Sequence, residues 1–534
     1  MLLTAATLFG PPLRALHPVT MRVASWNVAA VNNNPFEYWL THPDPEYTRL
    51  MQAVEQFIVD PGDKDVKVAS IFSSSMFAEL KARMEAEDWA GVAETEALWQ
   101  SDFAERQIIS GFLKDGLLGK KRLASMPDRF TNSITAADGT SVPRPTVINS
   151  YAGSMQTMAD WWAQWLEFLF VTPILIAGRD GAPKLKRPVQ LLSLIKSTKY
   201  PEVSAEEERI SLPLQTLCLA IFDAILVHVL NTLAPGSWQP LRQRLVDSLV
   251  TGKQARTAAL LKEAHAGVHI FCLQETSASF ANLLSKELAP ERVVIVPSGL
   301  DPSRDQNSLV VLDAKLFDVS SVVEVTDAVV GGLAGCSVAA GDLLAFTVRG
   351  AEAGAAGEGA HFLIASFHGD TNGLMTLPVV TGLCAFASQH AHMKLKLVFG
   401  LDANTYLNAD AKLNPAQFYL ADKFEKDCAA LALDNCWPVE SRWAGALTTF
   451  NARTYLQPQL NKACRFEDML KKGDRNPKDH ILCSQGDFTI GGCTRDNTGA
   501  NSYPEERVLP SLDFPSDHCI IVAELSVTPT ASAS

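Results

Sequence analysis

The chain has 534 residues, 47% hydrophobic and 20% charged, and a formal net charge of -13. That length exceeds what one hydrophobic core serves and asks for two or three domain-sized units, and the composition excludes a disordered chain. A surface this acidic repels duplex nucleic acid at long range, which argues against an extended DNA groove but leaves room for a few cations around one phosphate.

In chain order, residues 1–20 contain no acidic residue and read as a tail or a weak presequence, compatible with a cytoplasmic place or with organellar import. "MRVASWNVAAV" predicts a strand running into the turn-rich "NNNPFEYW". From 41 to 247 apolar residues recur at three- and four-residue spacings, which predicts a mostly helical block of five to eight helices. The run "WLEFLFVTPILIAG" is too short for a bilayer and holds a Glu and a Pro, so no transmembrane segment is expected. From 252 the pattern changes. "KQARTAALLKEAHAG" predicts a helix and "VHIFCLQE" a buried strand. "ERVVIVPSG", "NSLVVLDAKLF", "VVEVTDAV", "DLLAFTVRG", "HFLIASFHGD" and "LKLVFGLDAN" predict further strands. "KDHILCS" and "HCIIVAELSV" read as the closing ones. One catalytic unit, 21–40 with 248–528, is therefore split by a helical insertion at 41–247, and 529–534 is a disordered tail. The ten cysteines form no C-x-x-C pair, which speaks against structural zinc and for buried free thiols.

Isolated polar residues close several of these apolar runs: Asn27, Glu275, His368, Asp402 with Asn404, Asp479, and Asp517 with His518. A carboxylate at a strand end beside a core is costly unless paired or metal-bound, and this many, limited to Asp, Glu, Asn and His, point to one convergent site. The chemistry such a set supports is phosphate-ester hydrolysis. Glu275 with Asn27 offers hard oxygen ligands for Mg²⁺, with Mn²⁺ as a substitute. Asp402 can orient or deprotonate a water, and Asn404 can bind a non-bridging oxygen. His518 can stabilise developing charge, with Asp517 orienting its ring, and His368 is a second donor. Asp479 suits a ring nitrogen of His368 or His518, or the metal. In "TTFNARTYLQPQLNKACR", Asn451 and Arg453 read either as substrate-side residues that grip phosphate or as part of a plain surface loop.

The order "SWNV", "LQE", "SFHGD", "GLDANTY", "KDHIL", "SDH" resembles the endonuclease/exonuclease/phosphatase (DNase I-like) superfamily over about residues 21 to 36 and 255 to 528. The resemblance implies a four-layered αββα sandwich and a metal-dependent phosphoric ester hydrolase. It implies Asn27 and Glu275 at Mg²⁺, Asp402 and Asn404 at the water and phosphate, and Asp517 with His518 as the final pair. His368 and Asp479 match the histidine after the middle strand and the aspartate of the penultimate one. Two departures stand out. "GDxN" reads "LDAN", with Gly400 one place early, and about 250 residues separate Asn27 from Glu275. Where inositol 5-phosphatases carry "WCDR", this chain has "PKDHIL", closer to the deadenylase and sphingomyelinase side. The leading expectation is a phosphodiesterase or nuclease acting on single-stranded nucleic acid or a small phosphodiester. The alternatives are a phosphomonoesterase for an inositol phosphate, phospholipid or nucleotide, and a non-catalytic scaffold that binds a protein partner through the helices.

Overall fold

The computed structural model describes residues 20–29, 33–177, 182–302, 304–333, 338–351, 360–407, 417–437, 443 and 445–528. Apart from Thr20, the tails expected at 1–20 and 529–534 lie outside them. Twelve strands build two six-stranded sheets. They are β1 (Thr20–Asn27), β2 (Ile270–Thr276), β3 (Arg292–Ile295), β4 (Asn307–Asp313), β5 (Phe317–Glu324), β6 (Leu343–Gly350), β7 (His361–His368), β8 (Lys396–Asp402), β9 (Leu433–Asn435), β10 (Asp479–Ser484), β11 (Phe488–Asp496) and β12 (Ile520–Val527). The first sheet runs β11-β12-β1-β2-β4-β3 and the second β9-β10-β8-β7-β6-β5. β1 lies parallel to β2 and antiparallel to β12. Strands from the two ends of the sequence thus meet at the middle of one sheet.

The layers follow from the period-two alternation of strand side chains. In the second sheet Leu344, Phe346, Ile364, Val398, Ile481 and Cys483 join the core shared with the first sheet. Their neighbours Leu343, Ala345, Leu363, Leu397, Phe399 and Leu482 pack outward on the helices Thr376–Gln389 and Ala421–Ala430. On the far side the helix Ala278–Leu288 buries Phe280, Ala281, Leu284 and Leu288 against the first sheet. The result is a four-layered αββα sandwich, as the resemblance implies. The first sheet presses close on Gly400: a Cβ there would sit 2.4 Å from the Cβ of Cys272 and 3.1 Å from that of Ser25. This explains the glycine one place early in "GLDAN".

Outside 41–247, two strands and three helices escaped the sequence pattern; two of the helices are short, Thr326–Gly331 at the end of "VVEVTDAV", which reads as strand, and Met469–Lys472. Gly491 and Gly492 interrupt the apolar run of β11, a mostly half-exposed edge strand. β9 is only three residues long and follows the helix Ala421–Ala430 directly. In Ala278–Leu288 the N-cap Ser277 accepts from the backbone N–H of Phe280, a start signal outside the apolar pattern.

Between residues 41 and 247 lie nine α-helices among the described residues, two of them only five residues long, together with two short hairpins. This exceeds the expected five to eight, because short helices bury too few residues to show a period. The helix Ser211–Leu233 is long and apolar enough to cross a membrane by length and composition, and the run "WLEFLFVTPILIAG" is thus not the longest candidate. Most of that helix is buried in the block, among Trp161, Trp165, Leu169 and Leu241. It carries Asp223, which accepts from Arg144 Nε at 2.8 Å, Trp165 Nε1 at 2.9 Å and Thr146 Oγ1 at 2.6 Å, all without contact with solvent. The core of the block also takes in Phe450, Ala452, Leu456 and Cys464 from the segment before β10. Trp39 N–H donates to the carbonyl of Ala452 and Trp39 Nε1 to that of Cys464, so this segment is bound along the block.

Candidate active site

Alternation also aims the polar residues. His368 has the inward parity of Ile364 in β7, Asp402 that of Val398 in β8, and Asp479 that of Ile481 in β10, so all three face the first sheet. His480 falls on the opposite face, bonded to Thr405, Asn435 and the carbonyl of Pro477, and takes no part in the cluster. In β2, Gln274 points inward and donates to Ser366 Oγ at 3.1 Å across the sheets. Regular alternation would then turn Glu275 away. The register slips between Leu273 and Thr276, and Glu275 takes φ +52°, a left-handed conformation uncommon for a side-chain residue. That bulge swings Glu275 back to the same side. Asn404 is also left-handed, at φ +47°, with its N–H on Asp402 Oδ1 at 2.9 Å. Two such conformations beside one cluster store backbone strain there.

The residues meet around Asp402. Asn27 Nδ2 donates to Asp402 Oδ2 at 2.9 Å and to Glu275 Oε1 at 3.0 Å. His368 Nε2 lies 3.3 Å from Glu275 Oε1 and 3.6 Å from Asp402 Oδ2. His518 Nε2 is 3.8 Å from Asp402 Oδ2, and its Nδ1 is 2.8 Å from Asp479 Oδ2. Trp26 Nε1 donates to the carbonyl of His518, and Ser516 Oγ to that of Asn27, which ties the "SDH" turn to β1. Asp402 and Asp479 are sealed from solvent, whereas Glu275 keeps 23% and His368 13% of its side chain exposed, so the cluster opens on their side. A cavity of about 250 Å³ lies against His368 there.

Burial alone would push the Asp402 carboxyl up. His518 first, then His368, Lys478 and the amide of Asn27 outweigh it and hold that carboxyl below its usual value. Burial pulls the His518 ring down, but Asp479 and Asp402 prevail and push its pKa up to about 10, so the ring is a cation at neutral pH.

The donor chemistry fits a hard divalent cation. Glu275, His368 and Asp402 offer ligand atoms within 4.8 Å of one another; Asp402, Asp479 and His518 lie as close, but a protonated His518 has no lone pair to give. Glu275 is the exposed carboxylate of the set. Asn27 presents its NH₂ to the carboxylates, while its Oδ1 accepts from the N–H of Ala29 at 2.8 Å. To ligate through oxygen the amide must turn over and release that bond.

The other expected residues sit around this centre. Asp517 does not orient His518. Its Oδ2 accepts from Asn451 Nδ2 at 3.3 Å, and Asp479 takes the ring nitrogen, because the inward parity of β10 places it there while Asp517 lies in the turn before β12. Arg453 pairs with Glu37 and lies over the ring of Tyr38, at 5.3 Å. The side-chain amide of Asn404 makes no hydrogen bond among the described residues.

The model of one family matches residues 65–243, within the helical block, under the description "Domain of unknown function (DUF8234)". No curated protein matches the chain in sequence. Among solved structures the chain is similar to the catalytic domain of human Nocturnin with bound sulfate, at 15% identity and a TM-score of 0.34 over 51% of this chain and 86% of that one. It is similar to a humanized D. rerio TDP2, at 12% and 0.33 over 53% and 96%. It is also similar to an endonuclease/exonuclease/phosphatase from Bacteroides vulgatus, at 14% and 0.32 over 52% and 90%.

Two buried lysines near the cluster escaped the sequence reading. Lys478 binds Asp474 Oδ2 at 2.8 Å and adds positive charge toward Asp402. Lys253 opens the helix Lys253–Ala259; burial lowers its pKa to about 8, against the pull of Asp517, Glu275, Glu37 and Asp305. A cation in the first turn of a helix opposes the helix dipole, and that was the available signal.

Proposed function

We propose that the chain is a divalent-metal-dependent hydrolase of phosphate esters, with phosphodiesters as the leading class. The observation that carries this reading is the meeting, around Asp402, of Asn27 and Glu275 from the first sheet with His368 and Asp479 from the second, together with His518. Mg²⁺ or Mn²⁺ held by Glu275, and by Asn27 once its amide turns over, would supply positive charge to a phosphate oxygen. Asp402, kept ionised by the cations around it, orients a water for in-line attack and accepts its proton at Oδ2. His518 donates from Nε2 to a non-bridging oxygen as charge develops, while Asp479 holds the other nitrogen and so fixes the ring. His368 donates toward the same phosphate from beside Glu275. Asn404 brings an amide that makes no side-chain hydrogen bond among the described residues. Asn451 acts through Asp517, and Arg453 lies on the substrate side.

We also propose that 41–247 is an inserted unit that edges the catalytic face and restricts what reaches it, in keeping with its attachment to residues 450–464. The test is purified full-length protein with Mg²⁺ on bis-p-nitrophenyl phosphate, poly(A), single-stranded DNA, sphingomyelin and inositol phosphates, before and after exhaustive chelation. Hydrolysis that disappears with the metal and returns on its addition is the expected result. Full activity after chelation defeats the metal assignment, and cleavage of monoesters alone moves the reading to a phosphomonoesterase.

A further inference from the structure

A cleft of about 470 Å³ separates the helical block from the segment that carries Arg453. Arg122, Arg129, Asn132 and Tyr200 line it from the block, and Glu37, Arg453 and Gln457 from the other side. A second cavity of about 700 Å³ adjoins it through Arg122, Ser125, Pro458 and Gln459 and adds Lys462. Both acids on the wall of the first cleft are already matched: Glu37 pairs with Arg453, and Asp128 with the buried Arg144. Arg122, Arg129 and Lys462 have no ion-pair partner among the described residues. Burial lowers the pKa of Lys462, and the charges of Arg453 and Arg122 lower it further against the pull of Glu37, which puts these cations within electrostatic reach of one another. On a chain of net charge -13, this concentration of unmatched positive charge in a concave site is an anion-binding feature.

The wall of the cleft is linked electrostatically to the turn that carries His518. Glu37 and Arg453, on its wall, both interact electrostatically with Asp517, the neighbour of His518 in the chain, and Glu37 does so with Lys253 as well. We infer that this cleft is a second anion subsite, in which Arg122 and Arg129 hold a non-scissile phosphate while the phosphate to be cleaved sits at Asp402 and His518. The substrate class is then a small phosphate ester that carries a second phosphate. This rests on the phosphate-ester reading and narrows it. The helical block thereby acts as a substrate-selecting wall, because half of the subsite belongs to it.

The test is calorimetric binding to full-length protein in metal-free buffer. The probes are adenosine 3′,5′-bisphosphate and inositol 1,4-bisphosphate, each against its monophosphate. The expected result is that at least one bisphosphate binds about tenfold or more tighter than its monophosphate. Whichever probe shows the preference tells a nucleotide from an inositol headgroup as the source of the phosphates. Arg122→Gln with Arg129→Gln removes the preference, and Arg129→Glu alone, at an exposed position, weakens it. Equal binding of bisphosphates and monophosphates, or a preference that survives both variants, overturns the inference. Failure of the catalytic reading looks different: no Mg²⁺-dependent hydrolysis, with the binding preference intact.

Discussion

The Nδ1 of His518 lies 2.8 Å from Oδ2 of Asp479, with both side chains buried, while Asp402 stands on the other side of the ring. Two carboxylates around one imidazole make it a strong base and therefore a cation. A folded-state pKa pushed up to about 10 means that the stability contributed by His518 is full below its unfolded value near 6.5 and is lost as pH rises through about 10. Asp479→Asn should lower turnover about 100-fold and move the alkaline limb of the pH–rate profile to lower pH. Asp517→Asn, which removes a weaker contribution from outside hydrogen-bond reach of the ring, should move that limb far less. An unmoved limb in Asp479→Asn removes Asp479 as the residue that positions His518.

Asp402→Asn and His518→Ala should each cost about a factor of 100 or more in turnover, with cooperative thermal unfolding retained. Near-normal turnover in either variant defeats the role assigned to that side chain.

Glu275→Gln should weaken Mg²⁺ binding by about tenfold or more in a calorimetric titration, since it removes the exposed anionic oxygen of the set. Unchanged metal affinity means that the ion is held elsewhere.

Asp496 lies away from the cluster and tests the electrostatics of the fold independently. It accepts from His265 Nε2 at 2.9 Å and from the N–H groups of Thr498 and Gly499 at 2.8 and 2.9 Å. Burial would raise its carboxyl; the bonds to His265, Thr498 and Asn501 outweigh that and hold it well below the usual range. Its contribution to stability is present above the unfolded value near 3.9 and is lost as pH falls from there through the folded value. Melting temperature should therefore drop on the acid side, and Asp496→Asn should flatten that drop while lowering stability at pH 7. A parallel acid limb in the variant rules Asp496 out as its source.

In the helical block, Asp223→Ala leaves Arg144 charged and buried without its main partner, at a cost of about 3–5 kcal/mol. The variant should melt much earlier by circular dichroism; a change of only a degree or two shows the pair to be dispensable.

The strand-end residues Asn27, Glu275, His368, Asp402, Asp479 and His518 are legible in the sequence because each breaks an apolar run, where an uncompensated polar group is expensive. Their division of labour is not. Asp517 and Asp479 look equally suited to His518, and only the inward parity of β10 separates them. The inward turn of Glu275 depends on a bulge that no residue pattern in "LQET" announces. The cleft at Arg122 is invisible in sequence, since Arg122 and Arg453 lie far apart in the chain and meet only because Phe450, Ala452 and Leu456 join the core of the block.

The position of β1 has a consequence for biosynthesis. β1 is made before both of its neighbours: β2, which follows the whole helical block, and β12, which ends at Val527. Its pairings are among the most distant in sequence that the fold contains, and the loops they close must be ordered first. While the chain is still on the ribosome, Asn27 has neither Glu275 nor His518 beside it. On the proposed function, the nascent chain therefore holds no assembled site until residues near Ile520 have emerged, and hydrolysis has to wait for them.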